Sequence, residues 1–149
     1  MKAQLFESIR EELRARLLRL KEAAQDAHAA ATDTDSKAES KYDTRNLEAS
    51  YLASGQAKQV EELAESLRLF EAFDVMLIER SEKIVMGSLV GTADSAWYLL
   101  APSAGGLEII HDGREVTVLT PSSPLYQKLL GKALGHSIEG SSRVITTVL

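Results

Sequence analysis

Hydrophobic positions in the first half of the chain recur at helical spacing. Leu5, Ile9, Leu13, Leu17 and Leu20 step by three and four, and Ala23, Ala27, Ala30 and Ala31 continue the stripe with small side chains. One long amphipathic helix is predicted. The polar stretch Thr32-Asp33-Thr34-Asp35-Ser36-Lys37 breaks it, and Leu47, Tyr51, Val60, Leu63, Leu67 and Phe70 mark a second helix that should fold back on the first. Arms of roughly 30 residues would each be about 45 Å long, more than a globular core requires, so the outer part of such an antiparallel hairpin stays unburied. Its leucines lie toward the free ends and its alanines near the turn, which predicts a wide apolar base and a thin distal end. Gly55 sits inside the second helix at a cost of about 1 kcal/mol relative to alanine, and marks a bend or a close approach of the two arms.

From residue 73 the pattern changes to short runs of β-forming residues: Lys83–Gly91, Ala96–Ala101, Leu107–Ile110, Glu115–Thr120 and Arg143–Leu149. Pro102-Ser103-Ala104-Gly105-Gly106 reads as a loop, and Asp112-Gly113 as a two-residue hairpin turn. Between the last two runs, Ser123-Pro124-Leu125-Tyr126-Gln127-Lys128-Leu129-Leu130-Gly131 has a cap residue, proline at the first helical position and a glycine stop, which predicts a short helix. The expected fold class is α+β: a long antiparallel coiled-coil hairpin over residues 1–72, then a small α+β domain over 73–149 that leans on the wide base of the hairpin.

The chain has 149 residues, room for one or two small domains, and no cysteine, which removes a disulfide framework, a thiolate metal site and a cysteine nucleophile together. The opening MKAQLFESIREELRARL is charged every few residues and offers no apolar signal region, and no stretch reaches the roughly 20 apolar residues of a membrane span. A soluble, cytoplasmic protein with no membrane partner is expected. With 17 basic against 22 acidic side chains, a net charge of -5 argues against a broad basic footprint on duplex nucleic acid. Arg10, Arg14, Arg16, Arg19 and Lys21 alternate with Glu7, Glu11, Glu12 and Glu22, which reads as solvated ion pairs along the first helix.

Catalytic patterns are sparse. His28, His111 and His136 stand far apart in sequence, Gly105-Gly106 lacks the lysine and helix of a phosphate cradle, and no GxSxG elbow surrounds any serine. The predicted hairpin tip is different. Asp33, Asp35, Glu39 and Asp43 fall close together there, with Lys37 and Lys41 between them. Such hard oxygen donors suit Mg²⁺, alone or completing the shell of an ion supplied by a partner. Equally, Asp35 or Ser36 can cap the second helix, with Glu39 favouring its dipole.

Two segments resemble a known family. VTVLTPSSPLYQKLLGKALGHSI, residues 116–138, is similar to the C-terminal signature of the bacterial Gre transcript-cleavage factors: a strand, a Ser-Pro, a short helix ending Leu-Leu-Gly-Lys, and a turn into the last strands. TDSKAESKYDTRNLEASYLASGQ, residues 34–56, resembles the family's acidic tip. A long helical hairpin followed by an FKBP-like α+β domain is also the family's order, so the resemblance spans essentially the whole chain. It implies an accessory factor, not an enzyme in its own right, that docks on RNA polymerase through the C-terminal domain and passes its hairpin down the secondary channel. There the family's tip carboxylates help hold the second Mg²⁺, shared with the polymerase and not tightly bound by the free protein. They also orient a water, and the polymerase's own site cuts backtracked RNA, so contact with the nascent RNA 3′ end is indirect.

The family's tip typically reads Asp-Leu-Lys-Glu-Asn-Ala-Glu-Tyr. Aligned on Lys37 and Tyr42, this chain reads Asp35, Ser36, Lys37, Ala38, Glu39, Ser40, Lys41, Tyr42. Asp35 is kept, the second acid falls on Ala38, and its role passes to Glu39 or Asp33. Asp35, Glu39 and Asp33 are therefore the implied acids acting on Mg²⁺. Ser122, Ser123, Pro124 and Leu125 match the docking loop, and Ser123-Pro124 also reads simply as the cap and first residue of the short helix. Two alternatives stay open: a Gre-like channel occupant that regulates polymerase without cleavage, and a helical-hairpin interaction module, self-associating or chaperone-like, unrelated to transcription.

Overall fold

A computed structural model describes residues 2–32, 45–77 and 81–149. Both predicted helices form: α1 spans Lys2–Thr32 and α2 spans Arg45–Ala72. α2 is unbroken at Gly55, and a Cβ built there meets nothing within 4 Å, so the close approach expected at this glycine is not found. A 3-10 turn at Val75–Leu77 follows α2. The chain divides into two compact units, one made of Met1–Arg10 with Ser66–Leu149 and the other of Glu11–Glu65.

In the first unit the beginning of α1 lies against the end of α2. Leu5, Phe6, Ile9 and Phe70 are fully buried, and the Phe6 ring lies 5.2 Å from that of Phe70 and 5.6 Å from that of Phe73. The last carbonyls of a helix have no partner within it. Arg10 supplies one, its Nη2 donating to Phe73 O at 2.9 Å and to Phe70 O at 3.4 Å, while Glu7 holds the other side of the guanidinium at 3.3 Å. The same helix ends are tied to the sheet domain, as expected of its leaning on the hairpin base. Lys2 Nζ donates to Gly87 O at 3.2 Å and Ser103 Oγ to Ser66 O at 2.6 Å. Partial burial pushes the Lys2 ammonium below its ordinary pKa.

In the second unit, the described part of the stripe thins out. Leu13 and Ala27 are buried, Leu17, Leu20, Val60 and Leu63 are half-buried, and Leu18 is exposed. The ion pairs expected along α1 are present, with Arg16 Nε 2.7 Å and Arg19 Nη2 3.7 Å from Glu12 Oε1.

The α+β domain is a five-stranded mixed sheet built from β1 (Leu89–Thr92), β2 (Trp97–Leu100), β3 (Glu108–His111), β4 (Arg114–Leu119) and β5 (Ile145–Val148), with the short helix α3 (Pro124–Leu129) between the last two. The order is β3-β4-β2-β1-β5, and only the β2–β4 pair is parallel. The predicted hairpin closes at Asp112-Gly113, where both residues take positive φ, 51° and 72°, as a two-residue turn matched to strand twist requires. Tyr98, Leu100, Val90 and Ile145 from the sheet meet Tyr126 and Leu129 of α3 in the main core, together with Ile84 and Ile138.

One predicted strand is shorter than its apolar run. The run starting at Lys83 enters the sheet only at Leu89. Before that, Ser88 N–H donates to Val85 O at 3.0 Å and Val85 N–H to Ser88 Oγ at 3.0 Å, closing a turn at Gly87. Ile84 instead pairs with the loop after α3, through Ile84 N–H to Lys132 O and Gly131 N–H to Ile84 O, both 2.8 Å.

Candidate functional site

The acids expected to act on Mg²⁺, Asp33, Asp35 and Glu39, lie with Ala38 outside the described residues. Among the described residues no cluster of three or more His, Asp or Glu side chains could hold a metal. The histidines occupy separate local settings: His136 Nδ1 accepts from Ala133 N–H at 3.1 Å, and His111 Nε2 lies 3.5 Å from Asp112 Oδ2 in the hairpin turn.

The candidate docking residues are described: Ser122 and Ser123 end the loop between β4 and α3, and Pro124 and Leu125 open α3. Ser123 N–H donates to Thr120 O at 2.8 Å, the Thr120 and Ser122 hydroxyls are 3.1 Å apart, and Gln127 Nε2 donates back from α3 to Pro121 O at 2.7 Å. Pro124 occupies the first helical turn as predicted. Ser123 stands at the N-cap with extended backbone, φ -77° and ψ 131°, yet its side chain makes no capping hydrogen bond. The position was legible from the sequence; the capping contact expected of its hydroxyl does not form.

This loop rests on a buried anchor. Tyr126 and Leu129 are 3% and 0% exposed, and Leu125 packs partly against the same core, whereas Pro121, Ser122 and Pro124 face solvent. Burial raises the Tyr126 phenol above its ordinary pKa, so it stays neutral through the physiological range. After α3 the chain turns at Gly131 and leaves Leu130 and Leu134 42% and 62% exposed.

A second surface was not legible in the sequence. The Arg114 guanidinium stacks 4.6 Å over the Trp97 ring, beside an open hollow of about 600 Å³ lined also by Thr92, Ser95 and Glu115. Trp97 pairs with Val116, so Arg114 is its same-face diagonal neighbour on a strand that is parallel and distant in sequence. On the other side Gly91 is opposite Trp97, and a Cβ there would come within 3.0 Å of the indole. Nearby, the Thr92 hydroxyl donates to the Asp94 carboxylate and holds its pKa down, helped by Arg143, whose Nη1 also reaches Tyr98 OH at 2.9 Å. These contacts bind β1, β2 and the approach to β5 into one rigid corner.

These elements define the class: a helix pair followed by an α+β domain with a mixed five-stranded sheet. No protein-family model matches the chain, and no curated protein does. Among solved structures it is similar to the crystal structure of GreA factor homolog 1 of Thermus thermophilus, at 17% identity over 94% of each chain with a TM-score of 0.39. A likeness of that size does not transfer function, which has to rest on the chain's own residues.

Proposed function

We propose that the protein is an RNA polymerase-binding transcription elongation factor of the Gre type. It docks through Ser122, Ser123, Pro124 and Leu125 and carries Asp35, Glu39 and Asp33 on its hairpin tip into the polymerase secondary channel, over backtracked RNA. The observation that carries the docking half is the loop itself: its serines and Pro124 are held in a fixed conformation over buried Tyr126 and Leu129, and the Ser123 hydroxyl is not engaged in capping α3. The tip half rests on the sequence, where Asp35 keeps the family's first acid and the role of the second, which falls on Ala38, passes to the adjacent Glu39 or to Asp33.

The factor is an accessory to the polymerase's own hydrolysis. Carboxylates at the end of a helical arm offer hard oxygen donors, so Asp35, Glu39 and Asp33 are the groups that would complete the shell of the polymerase's Mg²⁺ and orient a water. When bound, that ion supplies Lewis-acid stabilisation to phosphodiester hydrolysis. The factor's share is positional and electrostatic, which agrees with a chain of net charge -5 that need not grip RNA by itself.

The deciding assay adds the purified protein to a stalled, backtracked polymerase complex carrying labelled RNA. Shortening of the RNA that disappears with Asp35→Ala, with polymerase binding retained, is the expected result; full activity of that variant rejects the assignment. Ala38 favours a second reading, a channel occupant that regulates the polymerase without stimulating cleavage. That reading predicts altered elongation with uncut RNA in the same assay. Binding of the polymerase that persists unchanged after replacement of Pro124 rejects the docking half.

A further inference from the structure

The two edges of the sheet are finished differently. Along β5 the chain covers part of its own edge: Gly135 N–H donates to Ile145 O at 2.8 Å, Ile145 N–H donates to His136 O at 2.9 Å, and Ser137 bridges to Val144. β3 forms the other edge. Its two-residue turn makes His111 and Arg114 a hydrogen-bonded pair, and pairs alternate from there along an antiparallel ladder, so Ile109 also turns its N–H and C=O toward β4. Val118 N–H donating to Leu107 O at 2.8 Å agrees with that alternation. The N–H and C=O of Glu108 and Ile110 therefore point away from the sheet, and no described residue hydrogen-bonds to them there. The side chains of the same two residues share one face, where Glu108 is exposed and Ile110 is 76% exposed. On that face Glu115 lies across β4 from Ile110, and with Glu108, Tyr98 and Thr117 it lines a hollow of about 220 Å³. Among the described residues neither Glu108 nor Glu115 has an ion-pair partner.

Such an edge is a template for another strand, and charge decides which. A second copy of the chain fits poorly. Antiparallel pairing about a two-fold axis keeps facing residues on one side of the sheet, so the axis passes through Ile109 or through Ile110. Through Ile110 it sets Glu108 directly opposite Asp112 of the other copy. Through Ile109 it brings Glu108 diagonally against Glu108 and Asp112 of the other copy, and like charges facing each other across strands are destabilising. We propose that the outer edge of β3 binds an extended polypeptide strand of another protein, added antiparallel to the sheet, with a lysine or arginine opposite Glu108 and an apolar residue opposite Ile110. Backbone hydrogen bonds to Glu108 and Ile110 supply the affinity, and the alternate side chains supply the selectivity. The acid that repels a second copy is the one that selects a basic strand. This site is separate from residues 122–125, which follow the end of β4, whereas Ile110 sits beside Glu115 near its start. The inference stands independently of the polymerase reading.

The probe is the blocked peptide acetyl-Thr-Val-Thr-Val-Thr-Lys-Thr-amide, titrated into full-length isotope-labelled protein and followed by amide chemical shifts. Saturable shifts over residues 107–112, with slowed hydrogen exchange at the Glu108 and Ile110 amides, are expected. Replacing the peptide lysine with glutamate should weaken binding about fivefold, as should Glu108→Lys in the protein, and the two changes together should restore it, because they exchange the members of a cross-strand ion pair. Glu108 is exposed, and unchanged amide shifts outside β3 and β4 establish that the variant is folded. N-methylation of the peptide lysine and of the valine two residues before it removes the donors that face the edge, and should abolish binding. Absence of shifts, shifts confined to residues outside β3, or an N-methylated peptide that binds as well as its parent overturns the proposal. Equal affinity for the lysine and glutamate peptides overturns it too, since the edge then does not select by charge. Concentration-dependent shifts at β3 without peptide, together with a dimer in sedimentation, give the edge to a second copy and overturn the proposal as well. Polymerase binding through residues 122–125 is untouched by any of these results.

Discussion

The ends of the two helices and their middles are written in the same leucine-and-alanine grammar but are packed differently. At the base, Leu5, Phe6, Ile9, Leu67 and Phe70 are buried and belong to the unit that contains the sheet. Between Glu11 and Glu65, the described side chains that reach the same burial are Leu13 and Ala27. A helical stripe therefore predicts which face turns inward without predicting what it meets. The base is held by a core and by Arg10, whereas the middle has a thinner buried stripe, Leu13 and Ala27 with half-buried Leu17, Leu20, Val60 and Leu63, and local pairs such as Glu12 with Arg16 that contribute about a few tenths of a kcal/mol each. The two regions should then respond differently to the same kind of change.

The largest difference is expected from truncating apolar side chains. Phe70→Ala removes a fully buried ring packed on Phe6, and should cost about 3–5 kcal/mol in urea unfolding, whereas Leu18→Ala, at 59% exposure, should stay within about 0.5 kcal/mol. Equal losses at both positions would erase the distinction between base and middle.

Next in size is Arg10→Ala. It leaves the Phe70 and Phe73 carbonyls without their charged donor in a partly buried setting, at a cost of about 1–3 kcal/mol. Hydrogen exchange locates the effect: amides of Leu67–Phe73 should exchange faster, while those of residues 16–26 should not change. Acceleration throughout α1 would mean that Arg10 supports the whole helix and not only the base.

How much of this was legible in the sequence depends on whether the determinant was local. The 3.6-residue period gave both helices, and the two positive φ values needed at Asp112-Gly113 are encoded in that dipeptide. Pro124 marked the start of α3 for the same reason, since its fixed φ suits a first helical turn. Non-local partners were not legible. Ile84 and Val85 look like strand residues, but Ile84 spends its hydrogen bonds on Gly131 and Lys132, far along the chain. The parallel β2–β4 pair, which places Arg114 over Trp97, depends on a register that no short window contains. At the candidate site the residue types of the docking loop were readable, while the anchoring through Tyr126 and Gln127, and the uncapped Ser123 hydroxyl, needed coordinates.

The smallest effects sharpen the comparison most, because one substitution, glycine to alanine, should change sign between the two regions. Gly113→Ala puts a Cβ on a residue at φ 72° in the β3–β4 turn and should cost about 1–2 kcal/mol. Gly55 lies inside α2, with nothing within 4 Å of where a Cβ would go. Alanine there keeps helical φ and ψ, lowers the entropy of the unfolded chain and has higher helix propensity, so Gly55→Ala should stabilise the protein by about 0.4–1 kcal/mol. A thermal midpoint raised for Gly55→Ala and lowered for Gly113→Ala is the expected pair of results. A lowered midpoint for Gly55→Ala would mean that α2 owes something at Gly55 to a conformation other than the continuous helix.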